Sequence, residues 1–156
     1  MKKRVDLPEK KYEGYIFDLD GTLVDSMPLH YRAWREALAR AGAPDHVFRA
    51  DEFYSCGGKS ANDVVRFLNE RYGMHMDAAS TAADKRRIYL EMLEKEGMQP
   101  IREVVEFVHS LGDAPKAIAT GSAMPGASRT LAAAGLSGLF DVILTPDEVE
   151  HLSLIH

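Results

Sequence analysis

The sequence predicts an α/β fold, a parallel sheet interrupted after its first strand by a long helical insertion. Three observations predict it. Short apolar, β-prone segments recur at Tyr15-Ile16-Phe17, Lys116-Ala117-Ile118-Ala119 and Phe140-Asp141-Val142-Ile143-Leu144. Helical patterns separate the later segments, and strand–helix–strand alternation is the signature of a parallel sheet. The block from residue 43 to residue 98 is mostly helical and too long for a simple crossover, so it reads as an inserted cap.

The elements follow in order. Pro28 suits a first helical turn because its missing N–H is harmless there. Leu29, Trp34, Ala37, Leu38 and Ala41 mark one face of that helix, which Gly42 ends. Ser60 with Asp63 three residues on gives a capping-box-like start to a helix lined by Val64, Leu68 and Tyr72 and closed by Gly73. A further helix runs from about Ala78 to Lys95, with Ile88, Met92 and Leu93 apolar. Val104, Val105, Val108 and Leu111 define the next, closed by Gly112, and a last helix runs from Gly126 to Ala134. The connectors Val24 to Pro28 and Gly97 to Pro100 are the expected hinges of the cap. The division is residues 1–27 and 99–151 as a partial core and 28–98 as the cap.

Composition narrows the function. The chain has 156 residues, is 46% hydrophobic and carries a net charge of −5, so nothing attracts it globally to nucleic acid or to an anionic membrane. No long apolar stretch marks a signal or a membrane span, and a cytoplasmic location is expected. Cys56 is the single cysteine, which rules out an internal disulfide and leaves a small packed residue as its reading. None of the six histidines pairs at metal-site spacing, which argues against structural zinc. Trp34 and the methionines read as core. Oligomeric state is not legible.

The chemistry lies at the strand ends, where open parallel sheets bind ligands. Asp18, Asp20, Thr120, Gly121 and Ser122 all fall there. Alternation along an extended chain places Asp18 and Asp20 on a common side. Gly21 permits a backbone conformation denied to other residues and a close approach to an anion. Thr120 offers a hydroxyl, and the N–H groups after it suit a concave anion site. Two adjacent carboxylates are both ionised only if a divalent cation lies between them; otherwise one stays protonated. Either state serves phosphoryl transfer, with one carboxylate attacking phosphorus and a protonated neighbour releasing the alcohol.

The decapeptide FDLDGTLVDS (residues 17–26) resembles the first motif of the haloacid-dehalogenase-like phosphohydrolases, and AIATGS (residues 117–122) resembles the second. The resemblance covers residues 14 to about 151. It implies a Rossmann-like parallel sheet, here incomplete, with a mobile helical cap. It implies Asp18 as nucleophile forming an aspartyl-phosphate, and Asp20 as general acid and then general base. It implies Mg²⁺ held by the Asp18 carboxylate and the Asp20 main-chain carbonyl. Phosphoryl oxygens would be held by Gly21, Thr22, Thr120, Gly121 and Ser122.

The stretch Leu29-His30-Tyr31-Arg32-Ala33-Trp34-Arg35 is similar to the subgroup of β-phosphoglucomutase and small sugar-phosphate phosphatases. That similarity implies a hydrogen bond from His30 to the cap lysine, Lys85. It also implies that Gly57-Gly58-Lys59-Ser60 is a specificity loop in which Lys59 meets the substrate, a small phosphorylated sugar. His30 also reads as a plain surface residue, and Lys85-Arg86-Arg87 as a solvated basic face. Thr22 favours a phosphatase, since mutases of the subgroup often carry valine there. A β-phosphoglucomutase-type isomerase is the rival, and a phospho-ligand-binding pseudoenzyme is the non-enzymatic alternative. A signalling receiver domain is disfavoured, because both acids sit on the first strand and a helical insertion follows it.

In relatives the segment after His151 continues into a lysine–proline motif and then an acidic pair. Here Leu152-Ser153-Leu154-Ile155-His156 follows, and no lysine occurs after Lys116. The pentapeptide matches the translation of a common sequencing-adapter end, so residues 152–156 are expected to be a non-native tail on a C-terminally truncated chain. A lysine about 4 Å from the phosphoryl group is worth ~4 kcal/mol at an effective dielectric of about 20, or roughly three decades of rate. Low activity and an unpaired, aggregation-prone edge on the first strand are the corresponding expectations.

Overall fold

A computed structural model describes residues 11–146. The expected tail at 152–156, and the stretch from residue 147 to His151, lie outside the described residues. Among the described residues nine elements occur in the order β1 (Tyr15–Phe17), α1 (Met27–Arg40), α2 (Ala50–Ser55), α3 (Ala61–Tyr72), α4 (Ala78–Glu96), α5 (Arg102–Ser110), β2 (Lys116–Ala119), α6 (Met124–Ala133) and β3 (Val142–Leu144). The chain forms two compact units, one helical from Met27 to Gly97 and one built around the sheet from the segments on either side. No helix among the described residues is long and apolar enough to cross a membrane.

The sheet has the order β1-β2-β3 and is parallel throughout. Tyr15, Ile16 and Phe17 pair with Lys116, Ala117 and Ile118, and Ala117, Ile118 and Ala119 pair with Val142, Ile143 and Leu144. Successive side chains alternate between faces. One face carries Tyr15 and Phe17, whose rings pack on Phe107 of α5 at 5.8 and 6.3 Å, with Ile118 fully buried beside them. The other carries the in-register row Ile16, Ala117 and Val142, where Ile16 is 73% and Val142 49% exposed. Parallel crossovers are as a rule right-handed, which puts the helices that follow β1 and β2 on one side and accounts for the exposure of Ile16 and Val142 among the described residues. Among the described residues no strand pairs with the outer edge of β1.

An apolar row beside an open edge is a template for self-association. Replacing Ile16 with lysine is therefore expected to raise the concentration the protein tolerates before light scattering appears. Its stability should change by no more than ~0.5 kcal/mol, as at other exposed positions. Unchanged scattering would place the sticky surface elsewhere.

In the helical unit α1 and α3 both pack on α4. Its core is Trp34, Leu38, Val47, Phe48, Phe53, Cys56, Val64, Val65, Leu68 and Met76. Cys56 is buried, and burial pushes its thiol pKa up, as expected of a packed residue. The described methionines divide: Met76 and Met98 are buried, while Met27, Met74, Met92 and Met124 are only half-buried. Ala41, expected on the buried face of the first helix, is exposed because α1 ends at Arg40. Ser60 caps α3 by accepting the Asp63 N–H at 3.1 Å, and Gly73 closes it in the left-handed region at φ 63°.

α2 depends on an unusual residue. Phe48 is fully buried and has a φ of 60°, uncommon for a side chain of its size. Its N–H donates to Glu52 Oε2 at 3.1 Å, so the third helical residue of α2 reaches back over the helix start. Tyr72 donates its hydroxyl to the same oxygen at 2.9 Å, and Arg71 pairs with Oε1 at 2.8 Å.

Candidate active site

β1 ends at Phe17, and the chain then wraps round one carbonyl. Leu19 O accepts N–H bonds from Thr22, Leu23 and Val24 at 3.3, 3.0 and 3.2 Å. Leu19, Leu23 and Val24 are completely buried and anchor the turn. Gly21 has φ 76° and donates its N–H to Val24 O at 2.8 Å, so it closes the loop. Asp18 and Asp20 flank the buried Leu19 and both remain accessible, Asp18 exposed and Asp20 half-buried. The expectation that strand alternation alone brings them together needs correcting, since β1 stops before Asp18 and the turn does the work.

Asp18 Oδ1 accepts the N–H of Leu19 at 2.8 Å. Its pKa is nonetheless raised, first by partial desolvation and then by the nearby charge of Asp20, with the Leu19 N–H opposing both. Asp20 is held at both oxygens. Ser26 donates to Oδ1 at 2.6 Å and Ser122 donates to Oδ2 at 2.7 Å. Thr120, at the end of β2, is buried, and its N–H donates to Leu144 O at 3.0 Å. Its hydroxyl oxygen accepts the Ser122 N–H at 3.1 Å. The structure thus brings Asp18, Asp20, Thr120 and Ser122 to one end of the sheet. Gly121 is exposed and Thr22 half-buried in the adjoining turns, and the space a Gly121 Cβ would occupy is open.

The helical unit assembles its own constellation. Lys85 Nζ lies 2.9 Å from His30 Nδ1, and the His30 ring stacks on Tyr89 at 4.0 Å with an interplanar angle of 6°. The same ammonium sits 5.5 Å from the ring centres of both Trp34 and Tyr89, within cation–π range. Spacing explains the grouping, since His30 and Trp34 are one turn apart on α1 and Lys85 and Tyr89 one turn apart on α4. Lys59 lies in the loop between α2 and α3 and places its ammonium 5.7 Å from the Phe67 ring. Sequence reasoning gave no role to Ser26 and read Trp34 as core alone. The motif FDLDGTLVDS contained Ser26, but nothing in the spacing showed that the chain folds back onto Asp20.

Among the described residues no group of three or more His, Cys, Asp or Glu side chains could hold a metal ion. The exposed Asp18 carboxylate offers hard oxygens, which suit a small divalent cation that keeps several waters. The raised Asp18 pKa marks a charge that a cation would relieve.

Residues 15–152 match the family model described as haloacid dehalogenase-like hydrolase. The chain belongs to that family, with a Rossmann-like parallel sheet and a helical cap. It is 31% identical over 143 residues to the fructose-1-phosphate phosphatase YqaB of Escherichia coli, covering 91% of this chain and 73% of that protein. It is 32% identical over 142 residues to hexitol phosphatase A of the same organism, covering 88% and 61%. The crystal structure of a hydrolase from Pseudomonas syringae superposes with a TM-score of 0.74 at 26% identity, covering 87% of this chain and 62% of that one.

Proposed function

We propose that the protein is a Mg²⁺-dependent phosphatase of small phosphorylated sugars that works through a phosphorylated Asp18. The observation that carries the reading is the acid pair itself. Asp18 is exposed with a raised pKa, beside an Asp20 whose carboxyl is gripped at both oxygens. The relatives support the substrate class, since one is named a fructose-1-phosphate phosphatase and another a hexitol phosphatase.

In this reading Asp18 is the nucleophile, placed just beyond the carboxyl end of β1, where open α/β sheets bind ligands. Asp20 donates a proton to the departing sugar oxygen and then takes one from the attacking water. Thr120 and the Gly121 N–H orient the phosphoryl oxygens. The Asp18 carboxylate and the Asp20 main-chain carbonyl would hold Mg²⁺, which supplies charge neutralisation between nucleophile and phosphoryl group. Residues 28–98 form the cap in this reading. His30, Lys85 and Lys59 are its substrate-facing polar groups, with the aromatic rings of Trp34 and Tyr89 fixing the Lys85 ammonium.

The test is phosphate release from a panel of hexose, pentose and hexitol phosphates, with Mg²⁺ and with a chelator. Turnover is expected on at least one ester, with loss of ~10²-fold or more on chelation, because charge stabilisation is worth several kcal/mol. Absence of any phosphoryl adduct on Asp18 in rapidly quenched protein would overturn the assignment.

A further inference from the structure

The sequence suggests Ser122 as a phosphate ligand, but the structure gives its hydroxyl another partner. Ser122 Oγ donates to Asp20 Oδ2 at 2.7 Å, while Ser26 Oγ, on a fully buried residue, donates to Asp20 Oδ1 at 2.6 Å. The Ser122 backbone is itself tied, through its N–H, to Thr120 Oγ1 at 3.1 Å. A serine hydroxyl has one proton to give, so a Ser122 that donates to Asp20 has none for a phosphoryl oxygen. The two hydroxyls come from the two chain segments that flank the insertion and grip opposite oxygens, so the plane of the carboxyl is set from both sides.

We propose that Ser122 is a positioning residue which, with Ser26, aims the Asp20 carboxyl for proton transfer and does not bind the phosphoryl group. This rests on the role given to Asp20 above. In the first half-reaction an Asp18 oxygen bonds to phosphorus. The bond from phosphorus to the sugar oxygen breaks with its electron pair on oxygen, and protonated Asp20 delivers its proton there. In the second, a water oxygen bonds to phosphorus, the bond from Asp18 breaks with its pair returning to Asp18, and the Asp20 carboxylate takes the water proton. A protonated carboxyl keeps acceptor capacity beside its one O–H, so both serine hydroxyls go on donating to Asp20 while its proton is left for the sugar oxygen. The same pair of serines therefore keeps Asp20 aimed in both protonation states.

Two esters separate positioning from phosphate binding. A sugar phosphate needs a proton on its leaving oxygen, whereas p-nitrophenyl phosphate releases a stable anion. The value of kcat/KM reports formation of the phospho-enzyme only. Ser122→Ala is expected to lower it about 10- to 100-fold on the sugar phosphate. On the nitrophenyl ester the change should be less than about 2-fold, with inhibition by inorganic phosphate unchanged. Ser122→Thr should restore most of the loss. Equal losses on both esters, together with weaker phosphate inhibition, would overturn the proposal and return Ser122 to the phosphate site.

A second measurement needs no turnover. In protein labelled at the aspartate side-chain carbon, the Asp20 resonance, identified with Asp20→Asn, should move in both Ser122→Ala and Ser26→Ala. A resonance that stays in place would refute the contact. If the unaltered protein cleaves neither ester, the phosphatase reading fails, and the carboxyl resonance still decides whether Ser122 holds Asp20.

Discussion

Replacing Asp18 with asparagine is expected to lower phosphate release on the order of 10⁴-fold or more, as loss of a covalent nucleophile does elsewhere. The same change should make the metal-free protein more stable at neutral pH. The second effect follows from the raised pKa of Asp18. Below the ordinary value of 3.8 the carboxyl is protonated in both folded and unfolded chains and contributes nothing. As pH rises from there through the raised folded value, the unfolded chain gives up its proton before the folded one. Stability is lost across that window and stays lost above it. Asparagine has no such proton, so its advantage in melting temperature should be absent in acid and appear as pH rises through the window. Carboxylates with lowered pKa, such as Asp63 and Asp77, give an opposite slope in both proteins. The difference between the two melting curves therefore isolates Asp18. An asparagine variant with unchanged phosphate release would remove Asp18 from the mechanism, and one destabilised at neutral pH would contradict the desolvation argument. Active sites commonly hold such costly groups.

The largest purely structural effect is expected at Phe48. Its ring is completely buried and meets Trp34 edge-on at 5.6 Å and Phe53 at 5.9 Å. Truncation to alanine removes those contacts and leaves a cavity, a change that costs about 3–5 kcal/mol in well-packed cores. Alanine inherits the left-handed backbone without the ring that holds it there. Trp34 is the only tryptophan of the chain, so its fluorescence in urea reports on this core directly. The midpoint should fall by the equivalent of that energy. A loss under about 1 kcal/mol would mean that the helical unit repacks around the missing ring.

The strands that carry the site were legible because apolar, β-prone triplets and quartets have few other uses. Tyr15–Phe17 and Lys116–Ala119 form where the pattern put them. The third strand is shorter than its apolar run, since Phe140 turns its ring onto Phe17 and Asp141 Oδ2 accepts the Lys116 N–H, both outside the ladder. α6 starts at Met124, not Gly126, because Pro125 belongs to its first turn. α2 stayed hidden within a block read only as helical. It is six residues long, has arginine at its N-cap, and gains its order from Glu52, whose partners Tyr72 and Arg71 lie far along the chain. The hydroxyl grip on Asp20 was illegible for the same reason, as it joins residues from two turns that only the folded sheet brings together.

The strand end that carries the acids also settles how the helical insertion is tethered. Val24 forms an antiparallel bridge with Pro100, Asp25 N–H donates to Gln99 O at 3.0 Å, and Ile101 N–H donates to Leu23 O at 2.8 Å. The outgoing and returning segments are thus clasped to each other before the insertion begins. A clasp of this kind pins both ends of the insertion beside the turn that carries Asp18 and Asp20, so the placement of the acids is expected to withstand changes of length beyond the junction.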